Sequence, residues 1–263
     1  MYFSSRLSKR NTEKPVRLPP RSPLSGVVGL LDRIGFLELV PYALILLLIV
    51  GLMMMEPHMS GTLLILAGAA AVLFAAGIKL YWFLGGGALL AGMVLLLMSG
   101  YQSTRILVWQ DPWAYPQDGG WQIIQSLYAI GSGGLLGLGL GKSRQKFLYL
   151  PEPENDFIFA IVCEELGLIG AAVILILFAL LVIRGYWIAI HARDRFGALL
   201  VVGITTLTAV QVFLNIAVVT NLIPTTGISL PFFSYGGTAL MIQLAEMGVV
   251  LSVSRQIPPT KQE

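Results

Sequence analysis

The sequence has few charged residues and almost no cysteine. Asp, Glu, Lys and Arg make up 12% of its 263 residues, whereas soluble globular domains hold about 25%. The single cysteine, Cys163, excludes an internal disulfide and a cysteine-based metal cluster, and its apolar neighbours predict a small buried side chain. Hydrophobic residues make up 56%, with a mean hydropathy of +0.79. This composition predicts a membrane protein, and a net charge of +3 gives no reason to expect a nucleic-acid partner.

Apolar runs separated by polar connections predict an all-α, polytopic transmembrane helix bundle. Each run is near the roughly 20 residues that cross a bilayer. About six spans are predicted, at residues 39–55, 63–77, 83–98, 157–183, 198–220 and 238–253. Residues 1–38 are predicted to be a basic cytoplasmic segment with an interfacial helix over 24–40. Residues 39–263 form the membrane domain, which includes a long loop at 99–155.

The basic residues predict how the chain is oriented in the bilayer. Most of the 17 Lys and Arg residues lie in 1–38, at Lys79, in a predicted turn from Arg184 to Phe196, and in the C-terminal tail. Short connections rich in Lys and Arg stay on the cytoplasmic side. We therefore expect both termini to be cytoplasmic and the loop at 99–155 to be extracytoplasmic.

The long loop carries three alternating cations, Lys142, Arg144 and Lys146. In an extended loop they would point the same way, either into water or towards the pyrophosphate of a lipid-linked substrate. Just before them, glycines recur every four residues at Gly133, Gly137 and Gly141. This spacing predicts a helix face of small residues that allows close packing.

Carboxylates at the fourth span are candidates for chemistry. Asp156 stands at its start and could be a helix N-cap or a general base, and Asn155 could take the capping role instead. On a helix Glu164 would lie about 80° from Asp156 and Glu165 about 180° away. Ionisable groups at such depth are costly and usually functional, so Glu164 is a candidate substrate-binding residue.

Polar residues also lie near other spans. Residues 225–237 are a proline-broken polar stretch at membrane depth, which is tolerated only inside protein or along a wet cavity. With Glu246 in the last span, this stretch predicts one polar cavity that opens outward. Glu56 and His58 could pair or bind a cation, or could be ordinary residues of an interfacial turn.

Four stretches resemble the SEDS family, the FtsW/RodA/SpoVE proteins. They are GSGGLLGLGLGKSRQKFLYL at 131–150, PEPENDFIFAIVCEELGLIG at 151–170, TGISLPFFSYGG at 226–237 and the terminal Ser254-Arg255. The resemblance implies a polytopic peptidoglycan glycosyltransferase that polymerises lipid II in division, elongation or sporulation. It also implies a class B penicillin-binding protein as partner and a location in the bacterial inner membrane.

The resemblance assigns roles to individual residues. Asp156 matches the aspartate of the DFIFA motif, the candidate catalytic base. The resemblance implies substrate contacts for residues just before Asp156 and for the SYGG motif, and the alternation of the three cations adds Arg144. The candidate substrate-binding residues from these two sources are Lys142, Arg144, Gln145, Lys146, Ser234, Tyr235 and Gly236. A divalent cation, Mg²⁺ or Mn²⁺, could help to stabilise the pyrophosphate, although no metal ligand set is legible in the sequence.

The chain departs from the family pattern in two ways. His58 stands where the family usually has Asp. The family typically has about ten spans, so we expect the first four to be absent from this chain. Two other functions remain open. One is a lipid II flippase that uses Glu164 and Glu246, and the other is a non-catalytic scaffold for a class B penicillin-binding protein.

Overall fold

The described part of the chain is all-helical. The structure is a computed structural model that describes residues 36–55, 59–83, 85–87, 100–148 and 155–257. Its helices are α1 (Phe36–Met55), α2 (Met59–Ala75), α3 (Gly100–Gln110), α4 (Gly120–Gly133), α5 (Gln145–Leu148), α6 (Ile158–His191), α7 (Arg195–Val219) and α8 (Gly237–Ser254), with a 3₁₀ turn at Pro116–Asp118. No strand occurs within these ranges. The predicted fold class is confirmed.

Three helices, α6, α7 and α8, are long and apolar enough to cross a membrane. They match the predicted fourth, fifth and sixth spans. Helices α1 and α2 contain shorter apolar stretches, Val40–Met53 and Gly61–Ala75, at the first two predicted spans. The third span lies mostly outside the described residues, with helical stretches at 80–83 and 85–87 near its start. Also outside them are residues 1–35, Glu56 and His58.

Helix α7 is the central element of the bundle. Half of the most apolar 18-residue stretch of α7 is buried in protein, whereas the corresponding stretches of α6 and α8 are 17% and 11% buried. It packs against α2, α6 and α8. One core cluster joins α6, α7 and residue Leu230 and includes Cys163, as predicted for that cysteine. The apolar outer surfaces of α6 and α8 are what a lipid solvent requires of spanning helices.

The predicted turn from Arg184 to Phe196 is wrong for most of its length. Helix α6 continues to His191, and only residues 192–194 connect it to α7. The Arg184 guanidinium lies 4.2 Å from the Trp187 ring centre, and the rings of Trp187 and His191 stack at 4.2 Å. These contacts between neighbouring turns stabilise helix beyond the apolar run. The polar residues after Ile183 mark the end of the apolar run, but the helix itself continues to His191.

Candidate functional site

Asp156 is half-buried directly before α6. The N-cap position of α6 is Phe157, without a side-chain capping bond, so neither Asp156 nor Asn155 occupies it. The Asp156 carboxylate lies over Gly227, where a Cβ built on the glycine would come 3.3 Å from Oδ2. Gly227 also has a φ of +69°, which favours glycine. The missing side chain at Gly227 therefore gives the carboxylate its room.

Asn215, from the middle of the bundle, connects the two segments that meet at Asp156. Its side chain is fully buried. Nδ2 donates to the main-chain oxygens of Asp156, at 2.8 Å, and Ile228, at 2.7 Å. Among the described residues, Asn215 Oδ1 and the Thr226 hydroxyl have no hydrogen-bond partner. Buried polar groups are normally satisfied, so these two atoms are unusual within the bundle.

The SYGG segment packs on the backbone beside Asp156. The Ser234 hydroxyl donates to the main-chain oxygen of Asn155, at 2.6 Å, and accepts from the Leu230 amide, at 2.7 Å. The Phe232 amide donates to Gln243 Oε1, at 2.8 Å, at a residue with a φ of +65°. Such a φ is costly for a bulky side chain and persists where the surroundings hold it. The structure thus brings Ser234 and Asp156 together.

Tyr235 and Gly236 follow Ser234 at the end of the same segment. Tyr235 is 79% exposed. Gly236 is the N-cap residue of α8, without a side-chain capping bond, and its carbonyl accepts from the Leu240 amide. Both residues are therefore adjacent to the site, with the Tyr235 ring open to a large ligand.

Sequence reasoning assigned no role to Arg105 or Asn215, which the structure places at this site. Arg105 in α3 donates from Nη1 to the main-chain oxygen of Thr225, at 3.0 Å. Trp109, one turn later, donates from Nε1 to the Asn221 oxygen, at 3.1 Å. Helix α3 is therefore bound to the 221–236 loop and holds a cation near Gly227. A lone Arg in a polar stretch and a lone Asn in an apolar span were the only signals.

The three predicted cations do alternate in the structure. Lys142, Arg144 and Lys146 are exposed, whereas Ser143 between them is buried and Gln145 is half-buried. The Ser143 hydroxyl also accepts from the Lys146 amide, at 3.1 Å, in the first turn of the short helix α5. The charged side of this loop therefore faces away from the protein.

Glu164 holds the inner side of that loop. It is 1% exposed. Its carboxylate accepts from the Ser143 hydroxyl at 2.5 Å, the Arg144 amide at 3.0 Å and the Gln145 amide at 3.4 Å. Charge-assisted bonds of this kind are among the stronger ones in proteins. Both oxygens of Glu164 thus bind the cationic loop, and the substrate contact expected for Glu164 stays a prediction.

Helix α6 is broken at Gly167, where the backbone has φ 68° and ψ −170°. A glycine–leucine loop, residues 134–141, pairs with the break. The amides of Leu138 and Gly139 donate to the freed oxygens of Glu164 and Glu165, at 2.9 and 3.0 Å. A broken helix at membrane depth needs such partners, because lipid offers none.

The predicted helix face of Gly133, Gly137 and Gly141 is wrong. Helix α4 ends at Gly133, and Gly137 and Gly141 have φ values of +76° and +75° in the glycine–leucine loop. Close packing is nevertheless the reason for two of these glycines. A Cβ on Gly133 or Gly137 would come within 2.0 or 2.2 Å of a main-chain oxygen of α6.

Two further carboxylates lie in the spans. Glu165 is half-buried, and its Oε1 has no hydrogen-bond partner among the described residues. Glu246 lies in α8 with intermediate exposure. In the described ranges, no three His, Cys, Asp or Glu side chains come together as a group able to hold a metal ion.

Residues 33–258 match the family model FtsW/RodA/SpoVE, described as "Cell cycle protein". The chain belongs to this family. One similar member is stage V sporulation protein E of Bacillus subtilis, 49% identical over 78% of this chain and 56% of that protein. Another is the probable peptidoglycan glycosyltransferase FtsW of Trichlorobacter lovleyi, 44% identical over 85% of this chain and 60% of its own length. The chain thus spans a little over half the length of these relatives.

Two solved structures have a similar fold. A chain from a peptidoglycan synthase complex that coordinates polymerisation and crosslinking matches 98% of this chain and 68% of its own length, with a TM-score of 0.70 and 29% identity. The rod shape determining protein RodA of Thermus thermophilus matches 83% of this chain and 56% of its own, with a TM-score of 0.55 and 29% identity. These matches confirm an FtsW/RodA-type membrane fold.

Anchoring by Glu164 can be tested with the substitution Glu164→Gln. We expect it to lower the free energy of unfolding by about 2–3 kcal/mol, because hydrogen bonds to a buried charge are lost. Thermal denaturation in detergent measures the change. Ser143 donates to Glu164, so the two substitutions should not be additive. The double variant Glu164→Gln/Ser143→Ala should lose less unfolding free energy than the sum of the losses in the two single variants. Additive effects would contradict the anchoring role, and Glu165→Gln is the matched control.

Proposed function

We propose that the chain is the membrane-embedded part of a peptidoglycan glycosyltransferase that polymerises lipid II, with Asp156 as general base. The observation that carries this proposal is the placement of the Asp156 carboxylate over Gly227. Asn215 fixes the main chain on both sides of that contact. A carboxylate positioned in this way suits the removal of a proton from a sugar hydroxyl. The family relatives named as probable peptidoglycan glycosyltransferases support the same reaction.

In the proposed reaction the 4-hydroxyl of the acceptor sugar attacks the anomeric carbon of the lipid-linked donor. A new glycosidic bond forms while the bond from that carbon to the phosphate oxygen breaks. The hydroxyl proton passes to Asp156, and undecaprenyl diphosphate leaves with the bonding electrons. Asp156 both orients the hydroxyl and raises its nucleophilicity, so losing either function slows the reaction.

The exposed cations would stabilise the departing diphosphate. Lys142, Arg144 and Lys146 lie on a loop that Glu164 binds to α6. Asp156 precedes Glu164 by eight positions. If the helical geometry of α6 is extended back to Asp156, this separation is about 12 Å along the helix axis. Fixed cations near developing negative charge need no reorganisation during the reaction.

A divalent cation is proposed only as a companion of the substrate's diphosphate. The described residues offer no cluster of three metal-ligating side chains. They therefore do not fit a metal held by the protein alone, and no step of the proposed reaction uses one.

The flippase alternative is less well supported by the contacts of Glu164. A transported proton or headgroup needs a carboxylate that can change partners. Glu164 is instead bound through both oxygens to the adjacent loop. A purely scaffolding role would not require the space that Gly227 provides for the Asp156 carboxylate.

The proposal includes a partner and a location. Similarity to a chain of a peptidoglycan synthase complex supports a class B penicillin-binding protein as partner. The distribution of Lys and Arg supports a place in the bacterial inner membrane with both termini cytoplasmic and the site extracytoplasmic. Besides lipid II and the penicillin-binding protein, the bilayer itself is a partner, since α6 and α8 present largely apolar surfaces.

The experiment that tests the function is glycan polymerisation from purified lipid II by the chain and a class B penicillin-binding protein in proteoliposomes. We expect glycan strands that a muramidase digests. If no polymer forms while a lipid II headgroup crosses the bilayer in a Glu164-dependent way, the polymerase proposal is wrong and the flippase is correct. If neither occurs while the two proteins bind each other, the scaffold role is correct.

A further inference from the structure

The glycine–leucine loop presents leucine side chains away from the protein. Leu136 is 81% exposed, Leu140 76% and Leu135 66%. Leaving a leucine in water costs about 1.5–3 kcal/mol relative to burial, so a loop of this composition is suited to an apolar environment. Four glycines with positive φ turn the backbone so that the leucines face outward: Gly134, Gly137, Gly139 and Gly141.

The same loop is bound to the outer surface of a membrane-spanning helix. The amides of Leu168 and Ile169 in α6 donate to the oxygens of Gly134 and Leu135, at 2.9 and 3.2 Å. The side chains of Leu168 and Ile169 are themselves 62% and 56% exposed. Loop and helix therefore form one apolar patch at the depth of the α6 break. We define this leucine patch as Leu135, Leu136, Leu140, Leu168 and Ile169.

Cationic side chains border the leucine patch. Lys142 folds back along the loop, so that a Cβ on Gly139 would lie 3.4 Å from its Cδ and 4.0 Å from its Nζ. Arg144 and Lys146 are exposed immediately after it. An apolar surface with one cation folded against it and two more in the residues that follow complements a molecule that joins a long hydrocarbon chain to a strongly anionic head. A diphosphate carries more negative charge than the single phosphate of most bilayer lipids, which favours a diphosphate lipid as the occupant.

We propose that the leucine patch binds the polyprenyl chain of the lipid-linked substrate, at the isoprene units next to the diphosphate. This inference rests on the proposed function and adds a determinant of substrate specificity. The cations hold the diphosphate, and the hydrocarbon leaves the site along the leucines into the bilayer. A substrate with a shortened chain would keep its contacts with the cations and lose those with the leucines.

The test measures binding and polymerisation with two donors, one carrying the long polyprenyl chain and one carrying a short, water-soluble prenyl chain. The variant is Leu136→Ala with Leu140→Ala in the chain bound to its penicillin-binding protein. We expect the KM for the long-chain donor to rise about tenfold, equal to about 1.4 kcal/mol of lost binding. The KM for the short-chain donor should not change. The matched control replaces Leu177 and Leu180, which are 60% and 56% exposed on α6, by Ala and should change neither KM.

Two results would overturn the inference. An equal rise in KM for both donors would mean that the loop only positions the cations. No rise for either would mean that bulk phospholipid or another protein segment covers the leucines. The binding of long and short polyprenyl diphosphates in nanodiscs separates this inference from the reaction. A chain-length preference that the Leu136/Leu140 variant loses would support the patch even if the wild-type chain made no glycan.

Discussion

Asp156→Asn is expected to reduce glycan polymerisation about 10²- to 10⁴-fold, the usual contribution of a general base. Asparagine has the same shape and can still accept a hydrogen bond, but it cannot take the proton of the sugar hydroxyl. The main-chain bonds from Asn215 and Ser234 to this segment do not involve the Asp156 side chain, so these bonds should be retained. Steady-state polymerisation from lipid II measures the loss, which should appear in kcat rather than in KM.

Asp111→Asn is the control for this prediction. Asp111 lies at the end of α3 and is exposed, and its Oδ1 accepts from the amides of Trp113 and Ala114. An asparagine oxygen can accept the same bonds, so activity should remain near wild type. Wild-type polymerisation by Asp156→Asn, with equal melting temperatures for all three proteins, would show that Asp156 is not the base.

Gly167→Ala is expected to destabilise the protein by several kcal/mol and to abolish activity. At φ 68° and ψ −170° the backbone is in a region that is essentially restricted to glycine, at a cost of about 1–3 kcal/mol for other residues. The new Cβ would also lie 2.3 Å from the Gly137 nitrogen. Because that nitrogen belongs to the glycine–leucine loop, the loop must move, and Lys142 would move with it. Thermal denaturation in detergent and polymerisation measure the two effects.

Gly131→Ala is the matched glycine control. Gly131 lies inside α4 with an ordinary helical backbone, and a Cβ added to it would meet no atom within 4 Å. Alanine in a helix interior is about 0.5–1 kcal/mol more favourable than glycine, so this variant should be as stable as wild type or more so. If Gly167→Ala melts at the same temperature as Gly131→Ala, the break in α6 does not depend on glycine.

The periodicity of the sequence predicted local features well. Hydrophobic runs located α6, α7 and α8 to within a few residues at most ends, because a bilayer requires long apolar helices whatever their partners. The alternation of Lys142, Arg144 and Lys146 is retained as a pattern of exposure, although Lys146 already belongs to α5, because Ser143 and Gln145 between them bind the buried Glu164 carboxylate.

Contacts between distant segments could not be predicted in this way. The glycine spacing predicted a helix face, whereas Gly137 is in a loop whose amides complete the broken α6. The position of Glu164 on the helix predicted that it shares a side with Asp156, but its three donors are contributed by residues 143–145. Arg105 and Asn215 carried only the weak signal of a lone polar residue, because their partners are distant in sequence. The partner of Arg105 lies 120 positions away, and those of Asn215 lie 59 and 13 positions away.

The sequence by itself determined that this is a membrane protein of helices, that a cationic loop precedes Asp156, and which family the chain belongs to. Local hydrophobicity and short motifs are enough for these conclusions, because they depend on solvent and on residue order. Only the tertiary structure decided which segments surround each carboxylate. Glu164 is held by the amides of the cationic loop, whereas the Asp156 carboxylate lies over Gly227 in the 221–236 loop. That difference arises from which segments the fold brings together, since a carboxylate takes its role from the donors around it.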